Sequence, residues 1–156
     1  PVSDQPDFLN CILRLEVALE AGDLLQKLHD IEHSLARERR VRWEARTIDI
    51  DLLLYGDAVL PDQMVWHTIR AQGGAATLEG EPLVPHVRLD QRAFVLKPLL
   101  DVLAPDWRYP VTGAQLKDTV AQMAADMPGH MQDTQPVAAS SSEAALWAEA
   151  RASYGV

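Results

Sequence analysis

The chain has 156 residues, enough for one domain with its own core, and its 47% hydrophobic and 24% charged side chains are ordinary for a globular protein. A formal net charge of −9 argues against a general nucleic-acid surface. Cys11 is the single cysteine, which excludes an internal disulfide, and no apolar run approaches the ~18 residues of a membrane span.

Pro1 is not a start residue and no signal peptide is visible, so the genuine start is expected upstream. Residues 8–19 read as a strand. Leu9, Cys11, Leu13, Leu15 and Val17 make one apolar face, and Phe8, Asn10, Ile12, Arg14 and Glu16 make a mixed one. Cys11 is therefore expected to be a small core residue, in keeping with a reducing, cytoplasmic setting. Ala21-Gly22-Asp23 breaks the alternation, and Asp23 is a candidate N-cap. Leu24, Leu28, Ile31 and Leu35 follow at helical spacing, which predicts an amphipathic helix from 24 to about 36. Residues 37–46 are polar and read as a loop. Ile48 to Tyr55 reads as a second strand, and Ala58 to Leu60 as a short third. Residues 61–82, with Gly73-Gly74, Gly80 and Pro82, read as a long loop or hairpin. A short helix is expected from Phe94 to Leu103, ended by Pro105. Another is expected after Thr112-Gly113, with Leu116, Val120 and Met123 on one side. A linker-like run at 136–142 precedes a small helix at 143–153. Strand, helix, strand, then helices gives an α+β or α/β class, with a sheet thin for this much apolar surface.

The chemistry concentrates in residues 42–56. Asp49 and Asp51 stand two apart in an apolar run, so in a strand they share one face. Ile48, Ile50, Leu52 and Leu54 would anchor the other face in a core. Mg²⁺ takes hard oxygen ligands and often bridges one or two carboxylates to substrate phosphates. Five of the 14 basic residues (Arg37, Arg39, Arg40, Arg42 and Arg46) lie within ten positions just upstream. Arginine is the preferred bidentate donor to phosphate. Such a cluster on an acidic protein suits a small anionic ligand, although Arg40 reads better as a solvated loop residue. Two acids of this spacing are also common on ordinary exposed strand faces. His86, between Pro85 and Arg88, can donate to a phosphate or be a plain surface residue. Phe8 and Asn10 share a strand face and, with Phe94, could stack and edge-bond a flat heterocycle. On pattern alone the two phenylalanines fit a core equally well.

Taken together these segments resemble the 6-hydroxymethyl-7,8-dihydropterin pyrophosphokinase family of folate biosynthesis. Asp4 to Asn10 resembles its pterin-side segment, and Arg42 to Asp51 its signature. Leu24-Leu25 through Ile31-Glu32 and Arg37 resembles the helix and loop before that signature. Val84-Pro85-His86 with Arg92 to Leu96 resembles its downstream block. The resemblance covers about residues 1–125. It implies an ATP-dependent transfer of pyrophosphate to the pterin hydroxymethyl group, giving AMP. Asp49 and Asp51 would hold two Mg²⁺ ions and, with Arg37 and Arg46, form the catalytic set. Glu32, Arg37, Arg39, His86 and Arg92 would contact ATP. Phe8, Asn10 and Phe94 would bind the pterin, and Arg42 and Trp43 would belong to a loop that closes over it. The implied fold is α+β, a ferredoxin-like sheet with helices. The family's first β-α-β portion, with its Gly-Ser-Asn strand, has no counterpart here, so the chain reads as N-terminally truncated. Residues 61–82 run longer than the family pattern, and His29 stands where a glutamine is usual. The expected organisation is a pyrophosphokinase domain over 1–127 and a linker and helical tail over 128–156. The expected protein is a cytoplasmic monomer that binds ATP and the pterin, without nucleic acid or membrane partners. Two other readings stay open: an inactive pterin- or nucleotide-binding module, and a metal-dependent phosphodiesterase.

Overall fold

A computed structural model describes residues 9–35, 48–74 and 80–115, with residues 118, 121, 122 and 125 beyond them. Among the described residues the helices with given bounds are α1 over Ala21–Leu35, α2 over Gln63–Ala71 and α3 over Ala93–Val102, the last preceded by a 3₁₀ turn at Leu89–Gln91, and residues 118, 121, 122 and 125 are helical as well. The expected α+β, ferredoxin-like sheet is overturned. Among the described residues no strand forms, and β pairing is confined to two isolated antiparallel bridges, Leu60 with Val84 and Arg108 with Gln115.

The reason lies in what alternation supplies. It gives a segment two faces, but a strand also needs a neighbour to bond its N–H and C=O groups. Residues 9–17 have no partner strand among the described residues. Their expected core face is turned to solvent, with Leu9 75% and Leu13 61% exposed. Cys11 is exposed as well, contrary to the core position expected for it. Ile12, on the face read as mixed, is the residue that packs inward. The runs at 48–55 and 58–60 are likewise not strands.

Helix α1 starts earlier than its spacing suggested. Leu24 N–H already donates to Glu20 O (2.9 Å), so Asp23 sits inside the first turn rather than capping it. There it still complements the helix dipole. Leu24, Leu25 and Leu28 are half-buried, whereas Ile31 and Leu35 are exposed.

Helix α2 falls where a loop was expected, and its ends are both specified by sequence. The Asp62 carboxylate accepts from Val65 N–H (2.9 Å) at the N-terminus. At the other end, Gly73 N–H donates to Arg70 O and Gly74 N–H to Ile69 O (both 3.0 Å), the double bond of a Schellman termination. Gly74 has φ of +66°, and a Cβ there would stand 2.8 Å from Val87 Cγ2, so glycine is required twice over. Asp62→Ala is expected to cost about 1 kcal/mol of stability, read as a shift in denaturant midpoint.

Among the described residues, two apolar clusters make the core. Leu89, Ala93, Val95, Leu96 and Leu99 form the first, with Ile12, Leu53, Leu54 and Trp107 packed on it. Trp66, Ile69 and Val87 form the second, backed by Val59, Leu83 and Val111. Beside the second, Arg70 forms a two-pronged ion pair with Asp90. Tyr109 is buried near this pair. Burial first, then the Asp90 charge, pushes its phenol up to about 12, with Arg70 opposing. An unfolded tyrosine titrates near ~10. Its contribution is therefore intact below ~pH 10 and is lost as the pH rises through the folded value. Unfolding curves across that window are expected to show an alkaline loss of stability that Tyr109→Phe removes.

Candidate active site

Residues 48–55 are fixed at two places, one on α1 and one on the segment just before it. Tyr55 Oη donates to Leu19 O (2.6 Å), and Ile50 N–H donates to Glu32 Oε1 (2.7 Å). Asp49 and Asp51 are exposed, while Ile48, Ile50 and Leu52 are half-buried. Strict alternation fails at Leu53-Leu54, both of which pack on the first core cluster.

Three of the residues singled out from sequence come together here. Arg92 Nη1 lies 3.2 Å from Asp51 Oδ2, joining positions 41 apart in the chain. His86 N–H donates to Leu53 O (2.9 Å), two residues from Asp51. Burial lowers the His86 pKa; the Asp51 charge opposes this, and Arg92 and Arg88 reinforce it. His86 Nδ1 accepts from Arg88 N–H (3.2 Å), so a neutral ring carries its proton on Nε2. The Arg92 guanidinium also lies over the Phe94 ring, 5.7 Å from its centroid. Phe94 itself is 37% exposed, not a core residue. Asn10 is exposed on the 9–17 segment. Phe8, Arg37, Arg39, Trp43 and Arg46 lie outside the described residues, as do Arg40 and Arg42.

A support that the sequence reading missed comes from α2. Trp66 Nε1 donates to Pro85 O (2.6 Å), and Arg70 donates to Val87 O. The residues on either side of His86 are thus both held by one helix. The signal was present in the i, i+3, i+4 spacing of Trp66, Ile69 and Arg70 after the Asp62 cap. Gly73, Gly74 and Gly80 follow, and glycines in such number are equally a loop signal.

Among the described residues, no three or more His, Cys, Asp or Glu are grouped to hold a metal, and no helix is long and apolar enough to cross a membrane. Two carboxylates do not make a closed structural site of the zinc type. They do fit a hard cation such as Mg²⁺, which completes its coordination with phosphate oxygens and water.

A family model for 7,8-dihydro-6-hydroxymethylpterin-pyrophosphokinase matches residues 1–104. A 2-amino-4-hydroxy-6-hydroxymethyldihydropteridine pyrophosphokinase of Pseudomonas aeruginosa is 38% identical over 119 residues, covering 76% of this chain and 62% of that protein. A protein of the same description from Synechocystis is 34% identical over 119 residues, with coverage of 76% and 52%. The bifunctional protein FolKE of Lactococcus lactis subsp. cremoris is 35% identical over 105 residues, with coverage of 67% and 25%. The chain spans less than two thirds of each of these relatives.

Proposed function

The chain belongs to the 7,8-dihydro-6-hydroxymethylpterin-pyrophosphokinase family, and we propose that it serves that family's named reaction with ATP as donor. The hydroxymethyl oxygen of 6-hydroxymethyl-7,8-dihydropterin attacks the β-phosphorus of ATP. The bond from that phosphorus to the oxygen bridging the α-phosphate breaks, AMP leaves with that oxygen, and the hydroxyl proton is released.

The observation that carries this reading is the convergence of Asp51, Arg92 and His86 from distant parts of the chain. A pyrophosphoryl transfer has little covalent chemistry for protein groups to perform. Its barrier falls chiefly through alignment of the reactants and neutralisation of charge. Arg92, already beside a carboxylate and an aromatic ring, can turn its fork to a phosphate. A neutral His86 donates from Nε2 to a phosphate oxygen without adding a charge that must be desolvated. Asp49 and Asp51 would hold Mg²⁺, which supplies charge neutralisation on the phosphates when bound. Arg37, Arg39 and Arg46 would complete the cationic lining, with Arg37 and Arg46 closest to the transferred group. Phe8 and Phe94 would stack on the pterin, Asn10 would bond its edge, and Trp43 would close over it to exclude water as a competing acceptor.

The test is a titration with nucleotide and pterin followed by AMP detection. AMP formed in step with pterin pyrophosphate supports the proposal. Binding of both ligands without AMP would leave a binding module. Cleavage of a model oligonucleotide with no AMP from ATP and pterin would favour a phosphodiesterase.

A further inference from the structure

The resemblance placed Glu32 on the nucleotide. In the structure its carboxylate is engaged elsewhere, accepting the N–H of Ile50 at 2.7 Å. Ile50 is the residue between Asp49 and Asp51. From this contact we infer that Glu32 is a positioning residue, which fixes the peptide between the two acids and so sets the direction of both carboxylates. The inference rests on the reading of Asp49 and Asp51 as the cation-holding pair.

Four observations support it. Exposed Asp49 and Asp51 flank half-buried Ile50, the alternation of an extended segment, so the backbone at the middle residue governs the aim of its two neighbours. No strand among the described residues pairs with residues 48–55, so a side chain does what a ladder bond would do. Glu32 is half-buried and near the end of α1, whereas the second tie, Tyr55 to Leu19, falls two residues before that helix begins at Ala21. Finally, Glu32 does not join the aspartates as a third metal ligand, because no group of three such residues forms among the described ones.

Glu32→Gln keeps an oxygen acceptor and removes the charge, whereas Glu32→Ala removes both. In the full chain, amide exchange at Ile50 is expected to accelerate at least about tenfold in Glu32→Ala and little in Glu32→Gln. Affinity for Mg²⁺ alone is expected to weaken about tenfold in Glu32→Ala, the lower end of the cost of losing an outer support of a metal ligand. Turnover should fall through kcat, with the KM for pterin unchanged and Glu32→Gln largely restored. Equal damage from both variants to turnover would return Glu32 to direct charge contact with the nucleotide and overturn the proposal. So would unchanged Ile50 exchange in Glu32→Ala. Should that variant not fold, the wild-type chain decides. The Ile50 amide of that chain must exchange slowly, and an Ile50 amide that exchanges as fast as an unprotected one refutes the tether. The exchange and Mg²⁺ measurements need no turnover. Absence of AMP formation would therefore overturn the pyrophosphokinase reading while the tether is judged separately.

Discussion

Asp51→Ala is expected to lower AMP formation by on the order of 10³-fold or more, while affinity for the pterin stays near that of the parent chain. The magnitude follows from what single electrostatic contributors to a transition state are worth when removed. Asp51 carries two such roles in the proposed reaction, as a cation ligand and as the group holding Arg92 at 3.2 Å. The fold should barely notice. The Asp51 side chain is 42% exposed and its partner Arg92 23%. An ion pair this open to solvent contributes only about 0–1 kcal/mol to stability. Unchanged denaturant midpoint with collapsed turnover would separate a chemical role from a structural one. Near-normal AMP production by the variant would remove Asp51 from the mechanism and, with it, the carboxylate pair as the cation-holding element.

The contrast between Asp51 and the strand expectation shows what sequence can carry here. Residue types and order carry the proposed motif, because each chemistry needs its own groups: acids for a hard cation, arginines for phosphate, a histidine that can donate to phosphate. Separation in space was not legible. Nothing in the spacing of Asp51, His86 and Arg92 states that Leu53 O receives His86 N–H, or that Arg92 reaches Asp51 across 41 positions. Helices α1 and α3 were legible to within a few residues because their hydrogen bonds are local and their apolar periodicity is self-contained. Strands were not, because pairing depends on a partner that the segment's own residues do not specify. Leu9, Leu13, Leu15 and Val17 have the alternation of a core-facing strand and lie exposed. Helix α2 was lost for the opposite reason. Its caps are explicit, but a Gly-Gly pair such as Gly73-Gly74 marks a loop as readily as the end of a helix.

Trp66→Ala should produce the largest loss of stability among single core substitutions, about 3–5 kcal/mol, the range for removing a buried large aromatic. Trp66 is 2% exposed and forms the centre of the second core cluster with Ile69 and Val87. Its ring edge meets His67 at 5.2 Å between centroids, and the Arg70 guanidinium sits 5.5 Å from its ring centre. Against an ordinary domain stability of ~5–15 kcal/mol, such a loss takes a large share. Trp66→Phe separates two contributions. It keeps most of the apolar volume but deprives Pro85 O of its 2.6 Å donor. Leaving a buried carbonyl without its partner costs about 1–3 kcal/mol, so the Phe variant should fall between parent and Ala. The released carbonyl adjoins His86, whose own N–H is bonded to Leu53. Under the proposed mechanism, Trp66→Phe should therefore also reduce kcat at temperatures where the chain remains folded. A Phe variant that matches the parent in both denaturant midpoint and kcat would show that ring volume alone matters, and that α2 supports the core without steering His86.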